Sequence, residues 1–130
     1  MIGYRNVDYE MFGKFSARLD DLVNWIPARL AGCLFAMTVP RAGRAALRTM
    51  WSDARLHRSP NAGWPESAMA SALGIRLSGP RVYDGAMRPE PWINAEGRDP
   101  AQHHISTGLQ IYVRAIGITA LTLFALAWML

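Results

Sequence analysis

The sequence predicts a mainly α-helical membrane protein, and three observations carry that prediction. Ala115 to Leu130 holds no charge and no polar face, with Thr119 and Thr122 alone interrupting an apolar run. Near the start of the chain, apolar residues recur at three- and four-residue intervals, the period of one helix face. The composition is 51% hydrophobic and 18% charged, apolar-heavy and charge-poor for a free soluble domain. At 130 residues the chain is a single domain, residues 1–130.

The first element spans residues 8–37, a kinked amphipathic helix. Phe12, Phe15, Leu19, Leu22, Val23, Ile26 and Leu30 make its apolar stripe. Asp20 and Asn24 fall one turn apart on the other side, and Arg18, Asp21, Trp25 and Arg29 form a second polar edge. Pro27 has no N–H to give the carbonyl of Val23, which predicts a kink at that point. The same spacing also fits a salt-bridged solvent face that tolerates a proline. Leu30 to Val39 is continuously apolar, yet too short to cross a bilayer core of about 30 Å unaided.

A polar region over residues 41–80 follows. Leu47, Met50, Trp51 and Ala54 mark the apolar side of a second helix over 40–58, and Arg41, Arg44, Arg48, Arg55 and Arg58 its basic side. Such a stripe fits a solvated cytoplasmic flank, and it equally suits phosphate, which planar guanidinium groups bind well. Asp53 and His57 stand one turn apart and are placed to touch. Ser59 to Gly63, SPNAG, has turn chemistry throughout. Pro65 is then a first helical residue and Glu66 lies in the first turn, favourable to the helix dipole. Small residues fill the helix to Leu73, a face that lets another backbone come close, and Gly74 is its C′ glycine.

Ile75 to Leu77 reads as a brief strand, and Gly79 to Gly97, with Tyr83, Asp84, Trp92 and Asn94, as an ordered loop with room for a hairpin. Asp99-Pro100 with Gln102 predicts a helix start of N-cap, N1 proline and capping-box partner. That helix runs to the C-terminus, and residues 111–130 give roughly 30 Å, enough to span. Arg114 then stands near one end, able to reach the headgroups, on the cytoplasmic side by the positive-inside tendency. A buried soluble helix is the other reading of this run, but a helix apolar all round is hard to bury in so small a chain.

Charge and cysteine narrow the functional classes. Formal net charge is +4 at a sequence pI near 9.8, with every cation but Lys14 an arginine. That balance suits phosphate-bearing ligands or anionic lipid, and without an RNP aromatic pattern, zinc-finger spacing or basic tail no nucleic-acid partner is expected. The single cysteine, Cys33, excludes an internal disulfide and fits a reducing compartment. His103 and His104, adjacent on a helix, are expected to point apart, and no metal site is assigned to them. The opening residues, MIGYRNVDYE, carry charge where a signal peptide needs an apolar run. No GxxxxGK[ST] loop is present, so an ATP site here would not be of the Walker type.

Three segments, in order, resemble the adenosylcobinamide-phosphate synthases, membrane proteins of cobalamin biosynthesis. They are GYRN-x-x-YE-x-FG-x-x-x-ARLDD-x-x-NWIPARL (Gly3 to Leu30), DAR-x-H-x-SPNAGWPE-x-AMA-x-ALG (Asp53 to Gly74), and the later GP and PWI of Gly79-Pro80 and Pro91 to Ile93. The resemblance covers roughly the C-terminal half of the family pattern. It therefore implies a helical integral membrane protein fragment: a truncated product, one piece of a split enzyme or a chain with a mis-called start, beside a missing N-terminal half or as a homo-oligomer.

The resemblance also implies a reaction: a ligase-type, ATP-dependent amide synthesis joining adenosylcobyric acid to 1-amino-2-propanol or its phosphate. Such chemistry uses ATP and Mg²⁺, with the corrinoid as substrate, at a polar site facing the cytoplasm from the cell membrane. It needs carboxylates, phosphate-binding cations and a base. On that footing Asp53, His57 and Glu66 are the catalytic candidates, with His57 as base. The substrate-binding candidates are Asp20, Asp21, Asn24, Arg29, Arg55, Arg58, Ser59 and Asn61, the arginines for phosphate. Asp20, Asp21, Asp53 and Glu66 are the candidates for metal or amine contact. A non-catalytic membrane scaffold or sensor that keeps the fold is the alternative. Asp21 paired with Arg18 or Arg29 would be a structural ion pair.

Overall fold

The computed structural model describes residues 10–83 and 86–130. The predicted start of the first helix at Asp8, the GYRN part of the first motif, and Asp84 lie outside the described residues. The elements run α1 Glu10–Val23, α2 Trp25–Met37, α3 Gly43–Asp53, a 3-10 turn Ala54–Leu56, α4 Gly63–Leu73, β1 Leu77–Ser78, β2 Arg81–Tyr83, β3 Ala86–Arg88, β4 Trp92–Ile93 and α5 Gln102–Met129.

The core sits where α4 packs against both α2 and α3. Met50, Ala54, Trp64 and Ala68 form it, with Ala28, Cys33 and Phe35 laid against them. The small residues of α4 allow this approach, as the sequence predicts. α2 contributes the matching gap: a Cβ at Gly32 would meet the Met50 sulfur at 2.4 Å and the Trp64 carbonyl oxygen at 3.1 Å. Trp51 adds an edge-to-face contact with Trp64 at 5.0 Å. Cys33 is half-buried beside this core.

The helix predicted over 8–37 with a break at Pro27 is two helices, divided at Asn24, three residues before the proline. Pro27 leaves the Val23 carbonyl without a donor, while Ala28 N–H still donates to Asn24 O at 3.0 Å. The predicted apolar stripe is there, but the described chain does not cover it. Phe15, Leu22 and Val23 are 66%, 71% and 65% exposed, and Leu19, Ile26 and Leu30 are exposed as well.

Pro65 is the third residue of α4 instead of the first, because Trp64 N–H already donates to Asn61 O. The first turn has no use for these N–H groups, so a proline fits anywhere in it. At the other end Gly74 takes φ 66°, the left-handed cap expected of it. Beyond it β1 pairs with β4 and β2 with β3, both antiparallel, so the 79–97 loop does contain a hairpin. Ile93 of β4 is fully buried.

α5 starts at Gln102, three residues after the predicted cap. Asp99 cannot cap because Arg76 Nε takes its Oδ1 at 2.7 Å. The start is held by His104 instead: its Nδ1 accepts the Ala101 N–H and its own N–H donates to Ala101 O, both at 2.9 Å. This turns His104 back toward His103, and their rings lie 3.9 Å apart, a correction to the expectation that they diverge. α5 meets the core through buried Ile111 and Ala115 and a Phe35–Tyr112 ring contact of 6.5 Å. It is one helix long and apolar enough to cross a membrane.

The Arg76 hydrogen bond and charge hold the Asp99 carboxyl below its usual range, and Asp99 in turn raises Arg76. A depressed carboxyl stabilises the fold above its unfolded pKa of about 4 and loses that contribution as pH falls through the folded value. The expected result is that Asp99→Asn lowers the melting temperature at neutral pH and that the gap from wild type closes in acid. Asp99 is exposed and Arg76 only half-buried, so the gap is small. Thermal melts at a series of pH values check it.

Candidate functional site

The site is built on the loop between the 3-10 turn and α4. Ser59 Oγ accepts the Asn61 and Ala62 N–H groups at 3.4 and 3.3 Å, closing a tight side-chain turn. Trp64 Nε1 donates to Pro60 O at 3.1 Å, tying the loop to the core. Gly63 lets the chain enter α4 directly over Ala54, where a Cβ would lie 2.1 Å from the Ala54 carbonyl oxygen. Turn chemistry and a missing side chain together fix where His57, Ser59 and Asn61 point.

Asn61 joins this loop to the first segment. It is 7% exposed. Its Nδ2 donates to the Asp21 carbonyl at 2.7 Å, and its Oδ1 accepts from Arg29 Nη1 at 3.4 Å. Arg29 lies 4.1 Å from the Trp25 ring and 4.3 Å from the Trp64 ring. Two stretches some forty residues apart in sequence thus meet at one buried amide, which satisfies its own polar atoms by making the contact.

On either side of this junction opens a cleft. One, of about 410 Å³, is lined by Asp20, Asp21, Asn24, Ser59 and Asn61 among others. Asn24 Nδ2 donates to Asp20 Oδ1 at 3.1 Å. No cationic side chain pairs with either aspartate among the described residues, so the anticipated Asp21 ion pair with Arg18 or Arg29 is not formed. The second cleft, also about 410 Å³, is lined by Arg29, Arg55, His57, Arg58, Pro60 and Trp64. Arg55 and Arg58 are exposed and make no ion pair among the described residues. An acidic cleft and a basic one therefore stand next to each other, sharing the Ser59–Asn61 loop as a wall.

His57 is paired with Glu66, not with Asp53. Ser59 N–H donates to His57 Nδ1 at 2.9 Å, so Nδ1 bears no hydrogen, and Nε2–H then points to Glu66 Oε2 at 3.3 Å. Ser78 Oγ donates to Glu66 Oε1 at 3.3 Å. The carboxylate fixes the tautomer, as a triad acid does for its histidine, and leaves Nδ1 as the basic nitrogen. The expected Asp53–His57 contact fails because the chain leaves the α-helix at Asp53 and His57 turns extended, with ψ 141°. Asp53 instead accepts the Asn94 N–H at 2.8 Å and Ser52 Oγ at 2.6 Å.

The roles of Asn94 and of the two indoles around Arg29 escaped the sequence reading. Asn94, at φ 51°, donates its Nδ2 to Ile75 O at 2.8 Å while its N–H holds Asp53. Nothing but an Asn in a loop, tolerant of positive φ, signals that role. The aromatic partners of Arg29 were better marked: Trp25 lies one turn before it, the spacing of helix neighbours.

Among the described residues no group of three or more His, Cys, Asp or Glu side chains could hold a metal ion. The acidic cleft does present the hard oxygen donors that Mg²⁺ takes when substrate phosphates and water complete its shell, an arrangement that needs one or two carboxylates.

Residues 1–112 match the model of a family described as "CobD/Cbib protein". The "Cobalamin biosynthesis protein CobD" of Rhodobacter capsulatus is 54% identical over 130 residues, covering 98% of this chain and 41% of that protein. The protein of the same description in Brucella suis is 52% identical over 107 residues, 78% of this chain and 33% of its own. That of Yersinia enterocolitica is 43% identical over 133 residues, 100% of this chain and 42% of its own. The chain spans about two fifths of the length of the relatives that it matches end to end. No solved structure matches it.

Proposed function

The chain belongs to the CobD/CbiB family, and from that membership we propose that it supplies much of the site for an amide-forming step of cobalamin biosynthesis, as part of a longer or split enzyme. The observation that carries the proposal is the junction at Asn61, which sets an acidic cleft beside a basic one. The substrates are adenosylcobyric acid and 1-amino-2-propanol or its phosphate. α5 crosses the cell membrane and the clefts face the cytoplasm.

The division of labour follows charge. Asp20 and Asp21, with Asn24, take the ammonium of the incoming amine, and Arg55 and Arg58, with Arg29 packed between its indoles, take phosphate. An amine nitrogen facing Asp20/Asp21 and a phosphate facing Arg55/Arg58 suit the two ends of a small amino alcohol phosphate. Where Mg²⁺ is bound, Asp20 and Asp21 are the residues to hold it, and its chemistry there is to neutralise phosphate charge.

Amide formation from a carboxylate is uphill until the carboxyl oxygen is activated with phosphate from ATP. The ammonium first gives one proton to solvent, the neutral amine nitrogen then bonds to the carbonyl carbon, phosphate leaves with the C–O electron pair, and the nitrogen loses a second proton. His57 Nδ1 is the acceptor for that proton, with Glu66 holding the ring through Nε2. At rest its lone pair is covered by the Ser59 N–H, and accepting the proton exchanges that bond. Ser59 and Asn61 position substrate and loop, and Asp53 supports the loop from behind through Asn94.

His57→Gln, introduced in the longer protein of a strain that depends on it, is expected to cut corrinoid amide production at least about 100-fold, the usual loss on removing a general base. Glu66→Gln should lower production as well, because it frees the imidazole to take the other tautomer. Chromatography of corrinoids with an immunoblot of the membrane fraction measures both. Normal production from an inserted His57→Gln protein would favour the scaffold reading.

A further inference from the structure

A third cleft, away from the Asn61 junction, is lined by Thr38, Val39, Pro40, Arg41, Ala42 and Arg114 among others, with a volume of about 420 Å³. We propose that it binds the phosphate of an anionic phospholipid between Arg41 and Arg114. The inference rests on α5 crossing a membrane and is independent of the amide chemistry.

Position argues for it first. Arg114 is the last charge of α5; from Ala115 onward the helix is apolar and almost wholly uncovered. A membrane boundary therefore falls near Arg114, the depth of lipid phosphates. The α2–α3 connection brings Arg41 to the same cleft at that level. The surrounding lining is largely apolar, and the Arg114 side of α5 continues beyond it with Ile118 and the exposed Leu121. A headgroup in the cleft would thus leave its acyl chains against an apolar helix.

Charge argues for it next. No acidic residue occurs from Trp25 to Ser52, nor anywhere in α5, so Arg41 and Arg114 line the cleft without a local counter-charge, while Arg44 and Arg48 lie further along α3, outside it. Neither Arg41 nor Arg114 makes an ion pair among the described residues, and both side chains are exposed. Ala42 caps the start of α3, so the positive end of that helix dipole faces the same space. Guanidinium groups favour phosphate because two parallel N–H bonds match its oxygens.

The test uses the full chain in detergent, titrated with phosphatidylglycerol or phosphatidylcholine and read by native mass spectrometry. Wild type is expected to retain phosphatidylglycerol over phosphatidylcholine by about thirtyfold, the effect of two arginines at an anionic surface. Arg41→Gln/Arg114→Gln should abolish that preference, with circular dichroism showing the helices intact. Arg44→Gln/Arg48→Gln, the same charge change outside the cleft, should leave most of it. Equal losses in the two double variants would reduce the site to diffuse charge and overturn the proposal. Displacement of the lipid by inorganic phosphate at similar concentration would overturn it in favour of a free-phosphate site. Release of the protein from membranes by salt alone would remove its premise, while leaving the His57 experiment standing.

Discussion

Gly63→Ala is expected to lower the melting temperature of the protein more than any other single methyl addition to its helices. The new Cβ would lie 2.1 Å from the Ala54 carbonyl oxygen, 2.8 Å from the His57 Cβ and 2.9 Å from the Ala54 carbonyl carbon. None of these is the free end of a flexible side chain. Ala54 is 1% exposed and sits in the 3-10 turn, where its oxygen also accepts the His57 N–H at 3.4 Å. Relief therefore requires α4 to move off α3, which opens the contact on which Met50, Ala54, Trp64 and Ala68 depend. Alanine gains about 1 kcal/mol over glycine in helix propensity, but overpacking a rigid core loses about 1 to 3 kcal/mol and more where backbone must shift. The net loss should be about 2 kcal/mol. Gly117→Ala is the control: nothing lies within 4 Å of its added Cβ, so propensity alone acts and the protein should hold or gain. Thermal melts in detergent, followed by far-ultraviolet circular dichroism, decide it. Equal melting of the two variants would mean that the α3–α4 contact is not the one described.

What the sequence made legible divides along a physical line. Features set by local backbone chemistry were readable: the SPNAG turn, the Gly74 cap, the small face of α4 and the uncharged run of α5. Features set by competition between distant partners were not. Asp99 looks like a helix cap until Arg76, far back in the chain, claims it. Asp53 and His57 have helix spacing, but the helix ends between them and each finds a partner elsewhere, Asn94 and Glu66. The break in residues 8–37 was signalled by the donor missing at Pro27, and only its place, at Asn24, needed the fold. The site stands between these cases. Its residue types were legible from a long motif, and the meeting of Asp21 with Asn61 required the fold. The stripe from Phe15 to Leu30 shows the converse, a pattern legible in the sequence that the described residues leave exposed.

Asn61→Leu should separate the two roles that the junction plays. Leucine keeps the branching and the number of heavy atoms but can neither donate to the Asp21 carbonyl nor accept from Arg29. The Asp21 carbonyl is left without this donor, and losing one such bond costs about 1 to 3 kcal/mol, survivable for a core that α2, α3 and α4 build without it. Arg29 keeps its two indoles and remains near Trp64. The clefts, however, lose the link that sets their separation. A small misplacement of reacting groups can cost about 100-fold in rate, so corrinoid production should fall on that scale while the protein still inserts and melts cooperatively. Asn61→Asp sharpens the comparison, since it preserves the Arg29 contact and turns the Asp21 side into a repulsion between oxygens. If geometry is what matters, the aspartate variant should be nearly as damaged as the leucine variant. If instead the amide serves only to hold Arg29, the aspartate variant should work almost normally, because its carboxylate binds that arginine more strongly. A folded Asn61→Leu protein with undiminished output would show that the two clefts need not be held together, and the reading of one divided site would fall with it.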